Sequence, residues 1–541
     1  MFFRLFHRES ASLFGAAAVV GVFSFASRLV GMARDRILAG LFGAGDVLDA
    51  YYAAFKVPDL IFNLLVVGAL SAGFIPVFTA AWRRAPGGKE AWRFANGMLN
   101  LLFILMAVSL VVLAFFSEPL AVIVAPGFSE SKRELVASLT RIMLLAQLGL
   151  TVSMIFGSVL QGRRRFVLFA LAPVLYNIGI IAGALVLVPR WGPSGLAWGV
   201  VIGSILHALV QWVGARRMGY RYHWECGWNL ADVREALRLT GPRLFGLAVS
   251  QIGTVVMLVL ASRLQAGSVT LFMFASNIQY LPVGLVGVSY AVAAFPLLSE
   301  QATEGKTGRF VASFSAAARQ ILFLIIPFTL AFVLLRAQIV RVAVGAGKFG
   351  WEETIATADA VAIFALSFAS QCLVYLLARA FFALKDTLTP LAAGAASLMV
   401  VLFAGLYLSE RFGVAGLAAA FSLASIAQLM FLWLPLRARL GSLDEMRMLR
   451  SLYLLTSAGL AGGLMMQLLK PLTVRFFPLE TFWNVLLQGT VAGLGGWTVY
   501  AALAWVLKNE EIHAFAGALR QRFFRSTHPT EALPPEGPTV S

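Results

Sequence analysis

The sequence predicts an all-α polytopic membrane protein of about 14 transmembrane helices, built as two parallel-repeat six-helix lobes with two extra C-terminal helices. Three observations predict it. Of the 541 residues, 60% are hydrophobic and only 13% are charged, against roughly 45–50% and 25% in soluble domains. Apolar stretches of roughly 20 residues, enough to cross a hydrocarbon core of about 30 Å, recur from Leu13 to Leu507. The third observation is that a block of the sequence recurs 221 positions later.

Hydropathy windows and Gly/Pro breaks place spans at 13–40, 49–81, 93–117, 135–161, 166–188, 194–215, 234–262, 268–298, 310–335, 355–382, 388–408, 414–436, 451–470 and 482–507. The N-terminal run MFFRLFHRESASLFG has basic residues before an apolar stretch, but no small-residue cleavage site follows, so it reads as the lead into a retained first span. Lys and Arg concentrate in alternate loops, among them Arg83, Arg84, Arg163 to Arg165, Arg216, Arg217, Arg437 and Arg439. By the positive-inside rule both termini are expected in the cytoplasm of a cell whose plasma membrane holds the chain. The net charge of +17 is thereby assigned to topology, and no nucleic-acid partner is expected.

Repeat positions fix the lobes. Gly192, Gly195, Leu196, Ala197, Ser204, Ile205, Trp212 and Arg216 recur as Gly413, Gly416, Leu417, Ala418, Ser425, Ile426, Trp433 and Arg437. The shift covers six spans, an even number, so the copies enter the membrane in the same direction. The division is then 1–217 for the first lobe, 218–440 for the second, 441–507 for spans 13 and 14, and 508–541 for a tail. Within the tail, Glu511 to Arg525 is expected as a short basic amphipathic helix and the remainder as disordered.

Charges within apolar spans are costly in lipid, by a few to more than about ten kcal/mol, and normally face a cavity or a partner. The first span carries Arg28, Arg34, Asp35 and Arg36; Arg28 and Asp35 share a face, seven residues apart. In the second span Asp49, Lys56 and Asn63 form a stripe at seven-residue steps, and Asp59 lies three residues past Lys56. Gly31, Pro58, Gly241 and Pro242 are the expected hinges, since glycine loosens a helix and proline removes a donor. Arg141, Arg243 and Arg319 are further basic residues inside spans, equally compatible with snorkelling to the interface.

Nothing points to catalysis. The two cysteines, Cys226 and Cys372, and the five histidines show no metal-ligand spacing, and no phosphate loop, nucleophile elbow or dinucleotide fingerprint stands in a credible context. No metal or cofactor is expected.

The run SRLVGMARDRILAGLFGAGDVLDAYYAAFKVPD, Ser27 to Asp59, resembles the opening of MurJ (MviN) family lipid II flippases. LPVGLVGVSYAVAAFPLLS, Leu281 to Ser299, is similar to their eighth span, and RAFFALKDTLTP, Arg379 to Pro390, to their tenth-to-eleventh loop. The resemblance implies the fold of the multidrug/oligosaccharidyl-lipid/polysaccharide exporter superfamily and alternating access. It implies movement of lipid II, an undecaprenyl-pyrophosphate-linked peptidoglycan precursor, from the inner to the outer leaflet of the bacterial cytoplasmic membrane. The implied partners are lipid II, membrane lipids and cell-wall synthesis proteins. Arg28, Arg34, Asp35, Asp49 and Lys56 match charged cavity positions of the family, and the last two spans a groove for the polyprenyl tail. An arginine of the family is replaced at Phe62 or Asn63, and an Asp-Arg pair of its eighth span by Ser276-Asn277. The expected substrate site is therefore Arg28, Arg34, Asp35, Asp49, Lys56, Asn63, Arg263 and Asn277. The rival readings are a related exporter of another polyprenyl-linked glycan or an amphipathic drug, a membrane glycosyltransferase or phosphatase, and a scaffold for cell-wall synthesis. The enzymes would require acidic or histidine clusters in loops, which here are short and basic.

Overall fold

The computed structural model describes residues 13–70, 73–476, 478 and 481–524, and only the backbone course of 13–20, 86, 239–245 and 518–524. The expected leader before 13 and the tail beyond 524 lie outside the described residues. All regular structure in the described residues is helical. In chain order the long helices are α1 (Leu13–Phe42), α2 (Asp46–Arg84), α3 (Lys89–Phe115), α4 (Glu130–Gly162), α5 (Phe166–Trp191), α6 (Ser194–Arg216), α7 (Ala231–Ser262), α8 (Ser268–Thr303) and α9 (Thr307–Leu334). They continue with α10 (Trp351–Ala365 and Phe368–Ala383, bent by 48°), α11 and α12 (388–412 and 414–440), α13 (Glu445–Val474), α14 (Phe482–Val506) and α15 (Glu510–Phe524).

Nine described helices are long and apolar enough to cross a membrane, or up to eleven if each bent pair is one span. The sequence expectation was about three higher, and three places account for the difference. Leu388–Leu440 has 53 residues, about 80 Å of helix, yet it reverses at Gly413, where φ is 56° and ψ −133°. Its arms pack antiparallel, with Ser397 Oγ donating to Ala424 O at 3.0 Å. The other two places are α1, with four charges in its described part, and α7, of whose apolar stretch only Gly246–Ser262 is described with side chains.

The repeat is visible in the backbone. Gly192 has φ 60° and ψ −148°, close to Gly413, and only glycine adopts this conformation without strain. A Cβ on Gly195 would strike Leu187 and Val188, and one on Gly416 would strike Leu408 and Ser409, each pair related by the same 221 positions. Arg164 and Lys385 share a positive φ of 55° and 59°. The following residues close identical turns, Arg165 N to Leu160 O and Asp386 N to Phe381 O, at 2.8 and 2.9 Å. Even the π turns Asn63–Val67 in α2 and Gly284–Val288 in α8 correspond. They insert one residue into a helical turn and are frequent at functional sites.

At one end of the bundle α1–α6 and α7–α12 are clasped together. Asp49, 1% exposed, accepts from Gly267 N, Thr270 N, Thr270 Oγ1 and Lys132 Nζ at 2.7–2.8 Å. Lys348 N donates to Gly40 O at 2.9 Å, and Gly127 N to Ser262 Oγ at 3.3 Å. The helix ends rich in arginine, at Arg84, Arg163 and Arg216, are the opposite ends of the same helices.

Helices α13 and α14 pack on each other and, through α13, on α9. Arg319, 6% exposed, does not snorkel: it pairs with Glu510 and Glu511 at 2.8 and 2.7 Å, anchoring α15 to α9. Hydrogen bonds from Arg319 and Arg447 hold the Glu510 carboxyl below the usual carboxylate range.

Candidate functional site

Between the halves lies a cavity of about 350 Å³, lined by α1, α8, Phe332 of α9 and the short helix Arg336–Ala343. Its walls are mostly apolar, so the polar groups that reach it stand out. Arg34 clamps its neighbour, Nε and Nη2 donating to Asp35 Oδ1 at 2.9 and 2.7 Å, while Nη1 donates to Asn177 Oδ1 at 2.9 Å. The orientation of Asn177 is set by its own amide N–H, which donates to Pro173 O at 3.0 Å. From the other half, Asn277 Nδ2 donates to Asp35 Oδ2 at 3.1 Å. One carboxylate thus ties α1 to α8.

A guanidinium has five N–H donors, so Arg34 retains two for a ligand. Arg28 retains more. It is exposed and makes one long bond, Nη1 to Leu281 O at 3.4 Å. Its tip rests over Gly284, the first residue of the π turn, where a Cβ would stand 2.9 Å from Nη2. With Arg34 paired to Asp35, Arg28 is the net positive charge of the cavity.

Four of the eight expected site residues therefore meet: Arg28, Arg34, Asp35 and Asn277 line the cavity, as does Gly31. The other four lie elsewhere. Asp49 sits in the clasp, its carboxylate filled by the start of α8 and by Lys132. Asn63 folds back on its own helix, Nδ2 to Asp59 O at 2.8 Å. Arg263 caps α7 at the clasped end, and half-buried Lys56 stands a turn before Asp59 inside the first half. Arg36 turns away from the cavity to Arg341 O and Val342 O, at 2.9 and 2.8 Å, and covers the Phe482 ring.

Of the expected hinges, Pro58 has a visible effect. It cannot donate to Ala54 O, the helix breaks at Phe55, and Thr140 Oγ1 takes the vacated carbonyl at 3.4 Å. Helix α1 runs unbroken through Gly31, and α7 through 241 and 242, where side chains, that of Arg243 included, are outside the described residues. Asn177 and Lys132 were not singled out from sequence. A lone amide after a proline and a lysine in a first helical turn give no signal of their own.

The model of the family "Lipid II flippase MurJ" matches residues 38–487. The chain belongs to this family. It is a family of flippases, not of enzymes. The probable lipid II flippase MurJ of Bdellovibrio bacteriovorus is 29% identical over 495 residues, covering 90% of this chain and 93% of that protein. A solved structure of lipid II flippase MurJ in an inward closed conformation shares the fold, with a TM-score of 0.74 at 23% identity over 92% of this chain and 100% of that one. The fold extends to an inward-facing multidrug resistance MATE family transporter of the MOP superfamily, TM-score 0.63 at 16% identity over 77% and 96% of the two chains.

Proposed function

We propose that this chain carries lipid II from the cytoplasmic to the outer leaflet by alternating access, its pyrophosphate held in the cavity by Arg28 and the two free N–H groups of Arg34. The observation that carries the reading is the exposed, nearly unbonded guanidinium of Arg28 beside the Arg34–Asp35–Asn277 bridge. Planar guanidinium forks match phosphate oxygens. The polyprenyl tail stays in lipid along α13 and α14.

In this reading 1–217 and 218–440 are the rocking lobes, 441–507 the tail groove and 508–541 a cytoplasmic tail. The arginine-rich end is cytoplasmic, with both termini, and the clasp is the extracytoplasmic gate of the bacterial inner membrane. Asp49 then serves the gate rather than the substrate. Cysteines introduced at Lys89 and Ser442, in a chain lacking Cys226 and Cys372, are expected to be protected from an impermeant thiol reagent in intact cells, and one at Ser131 labelled. The reverse pattern defeats the orientation.

The decisive experiment replaces a cell's own lipid II flippase with this chain and scores growth and externally accessible lipid II. Failure of both, with the protein in the membrane, overturns the substrate. A second reading, export of another polyprenyl-linked glycan or an amphipathic drug, is favoured by the single net cation of the cavity. Mass spectrometry of co-purified lipid separates the two, and cell-wall synthesis proteins are the partners to seek alongside.

A further inference from the structure

One residue of the cavity wall has no part in holding a pyrophosphate. Tyr280 of α8 lines the cavity and is 51% exposed, yet a phenol offers a phosphate a single hydroxyl and no charge. The other aromatic residues of the lining, Phe274 and Phe332, are buried, at 0% and 7%. Tyr280 is thus the aromatic ring that the cavity leaves open. Its neighbours on α8 fix its level. Asn277, three residues before it, holds Asp35 and through that carboxylate Arg34; Gly284, four residues after it, lies under the tip of Arg28. Residues three and four apart share a helix face, so Tyr280 stands beside the gap between the two arginines.

A pyrophosphate bridging Arg28 and Arg34 therefore has Tyr280 at its flank. One of its phosphates carries the polyprenyl chain, which stays in lipid. The other carries the glycan, whose first sugar ring begins one oxygen away. Such a ring has hydroxyls at its rim and C–H groups on its faces. Those C–H groups, made slightly positive by the neighbouring oxygens, suit the negative face of an aromatic ring. We propose that Tyr280 is the platform on which the first sugar of the pyrophosphate-linked glycan stacks, an inference that rests on the flippase reading above and assigns Tyr280 the distinction between a glycan-bearing lipid and a bare prenyl pyrophosphate. The platform belongs to the second half alone: the equivalent position 221 residues earlier is Asp59, which does not line the cavity. A few polar groups that orient the ligand beside an apolar face that takes its bulk are the usual composition of a small-molecule site.

Binding to the purified full-length protein, read by native mass spectrometry, tests this with two ligands: lipid II, and undecaprenyl pyrophosphate, which has the same pyrophosphate and chain without a sugar. Tyr280→Ala is expected to weaken lipid II binding about tenfold, the size of one aromatic stacking contact. It should leave undecaprenyl pyrophosphate binding in place, which also shows that the variant is folded. Tyr280→Phe keeps the ring face and should bind lipid II as the wild type does, whereas Arg28→Ala should weaken both ligands. Tyr280→Ala acting on both ligands alike, or on neither, overturns the inference and leaves the flippase reading standing. Equal losses of lipid II binding in Tyr280→Phe and Tyr280→Ala overturn it as well, since the contact would then be the hydroxyl's. A wild type that binds neither ligand overturns the flippase reading and the inference with it.

Discussion

Set side by side at the shift of 221 positions, the two halves agree in backbone and disagree in charge. The positive-φ residues, the reversing glycines and the π turns recur. Yet Arg28, Arg34, Asp35 and Arg36 stand opposite Val249, Val255, Val256 and Met257, and Asp49, Lys56 and Asp59 opposite Thr270, Asn277 and Tyr280. The duplicated scaffold supplies a shape in which two halves can move against each other. The ionised groups, costly at membrane depth, are concentrated in one half, and the other answers them with neutral amides and hydroxyls. A similar asymmetry holds in the basic loops: Asp386 accepts from Leu388 N, Thr389 N and Thr389 Oγ1 at 2.8–3.0 Å, where Arg165 in the first copy can accept nothing.

This contrast can be broken at several points. The largest effect is expected at the cavity: Arg28→Ala or Arg34→Ala should abolish flipping at unchanged membrane level, whereas Val249→Ala should not. Arg28→Lys should keep part of the activity, since an ammonium retains charge but loses the fork. Externally accessible lipid II measures all four, and full activity in both alanine variants removes the cavity from the mechanism.

The clasp comes next. Asp49→Ala leaves Lys132 with Asp46 as its remaining carboxylate partner, at 2.8 Å, and the N–H groups of Gly267 and Thr270 without their acceptor. It is expected to lower stability by about 3 kcal/mol, the upper range for buried groups left unmet, against about 1 kcal/mol for Thr270→Val, which removes one hydroxyl bond. Thermal unfolding in detergent compares them, and equal losses would mean that the charge on the first half adds nothing. Third, Asn277→Arg places a second cation opposite Asp35, competing for the carboxylate that Arg34 now occupies. It should insert normally and tighten binding of a pyrophosphate lipid by at most about 1–3 kcal/mol. Unchanged or weaker binding places the pyrophosphate elsewhere.

The smallest effect sharpens the loop comparison. Burial opposes ionisation of Asp386, but hydrogen bonds from Thr389 and Leu388 outweigh it and hold the carboxyl below its usual range. A depressed folded pKa means a contribution fully present above the ordinary Asp value of about 3.9 and lost as pH falls through the lower folded value. Asp386→Ala should therefore cost about 1 kcal/mol near neutrality, as for a lost helix cap, and nothing at the acid extreme. Unfolding temperatures of both proteins along a pH series should converge on acidification.

The charges of α1 were legible because ionised side chains in an apolar helix require a cavity or partner whatever the fold. The repeat was legible where glycines and small residues are fixed by close approach, at 192–216 and 413–437, and faint in α2 and α8, where the shared feature is a π turn that no residue type announces. Asp49 read as a cavity residue because its true partners, Gly267 and Thr270, are more than 200 positions away. Arg319 was ambiguous for the same reason, its acids lying 191 and 192 positions on. Asn177 was illegible because a neutral amide in an apolar helix carries no demand for a particular neighbour.

Gly284 has no functional group, yet it sets where the Arg28 charge can rest. In its contact with Arg28 an added methyl meets the tip of a flexible side chain, so the helix yields nothing and the arginine moves instead. In a genetic screen, substitutions at this glycine would phenocopy loss of the arginine while the protein accumulates at its ordinary level. A lesion map drawn from phenotype alone would then assign chemistry to a residue whose whole contribution is vacant space.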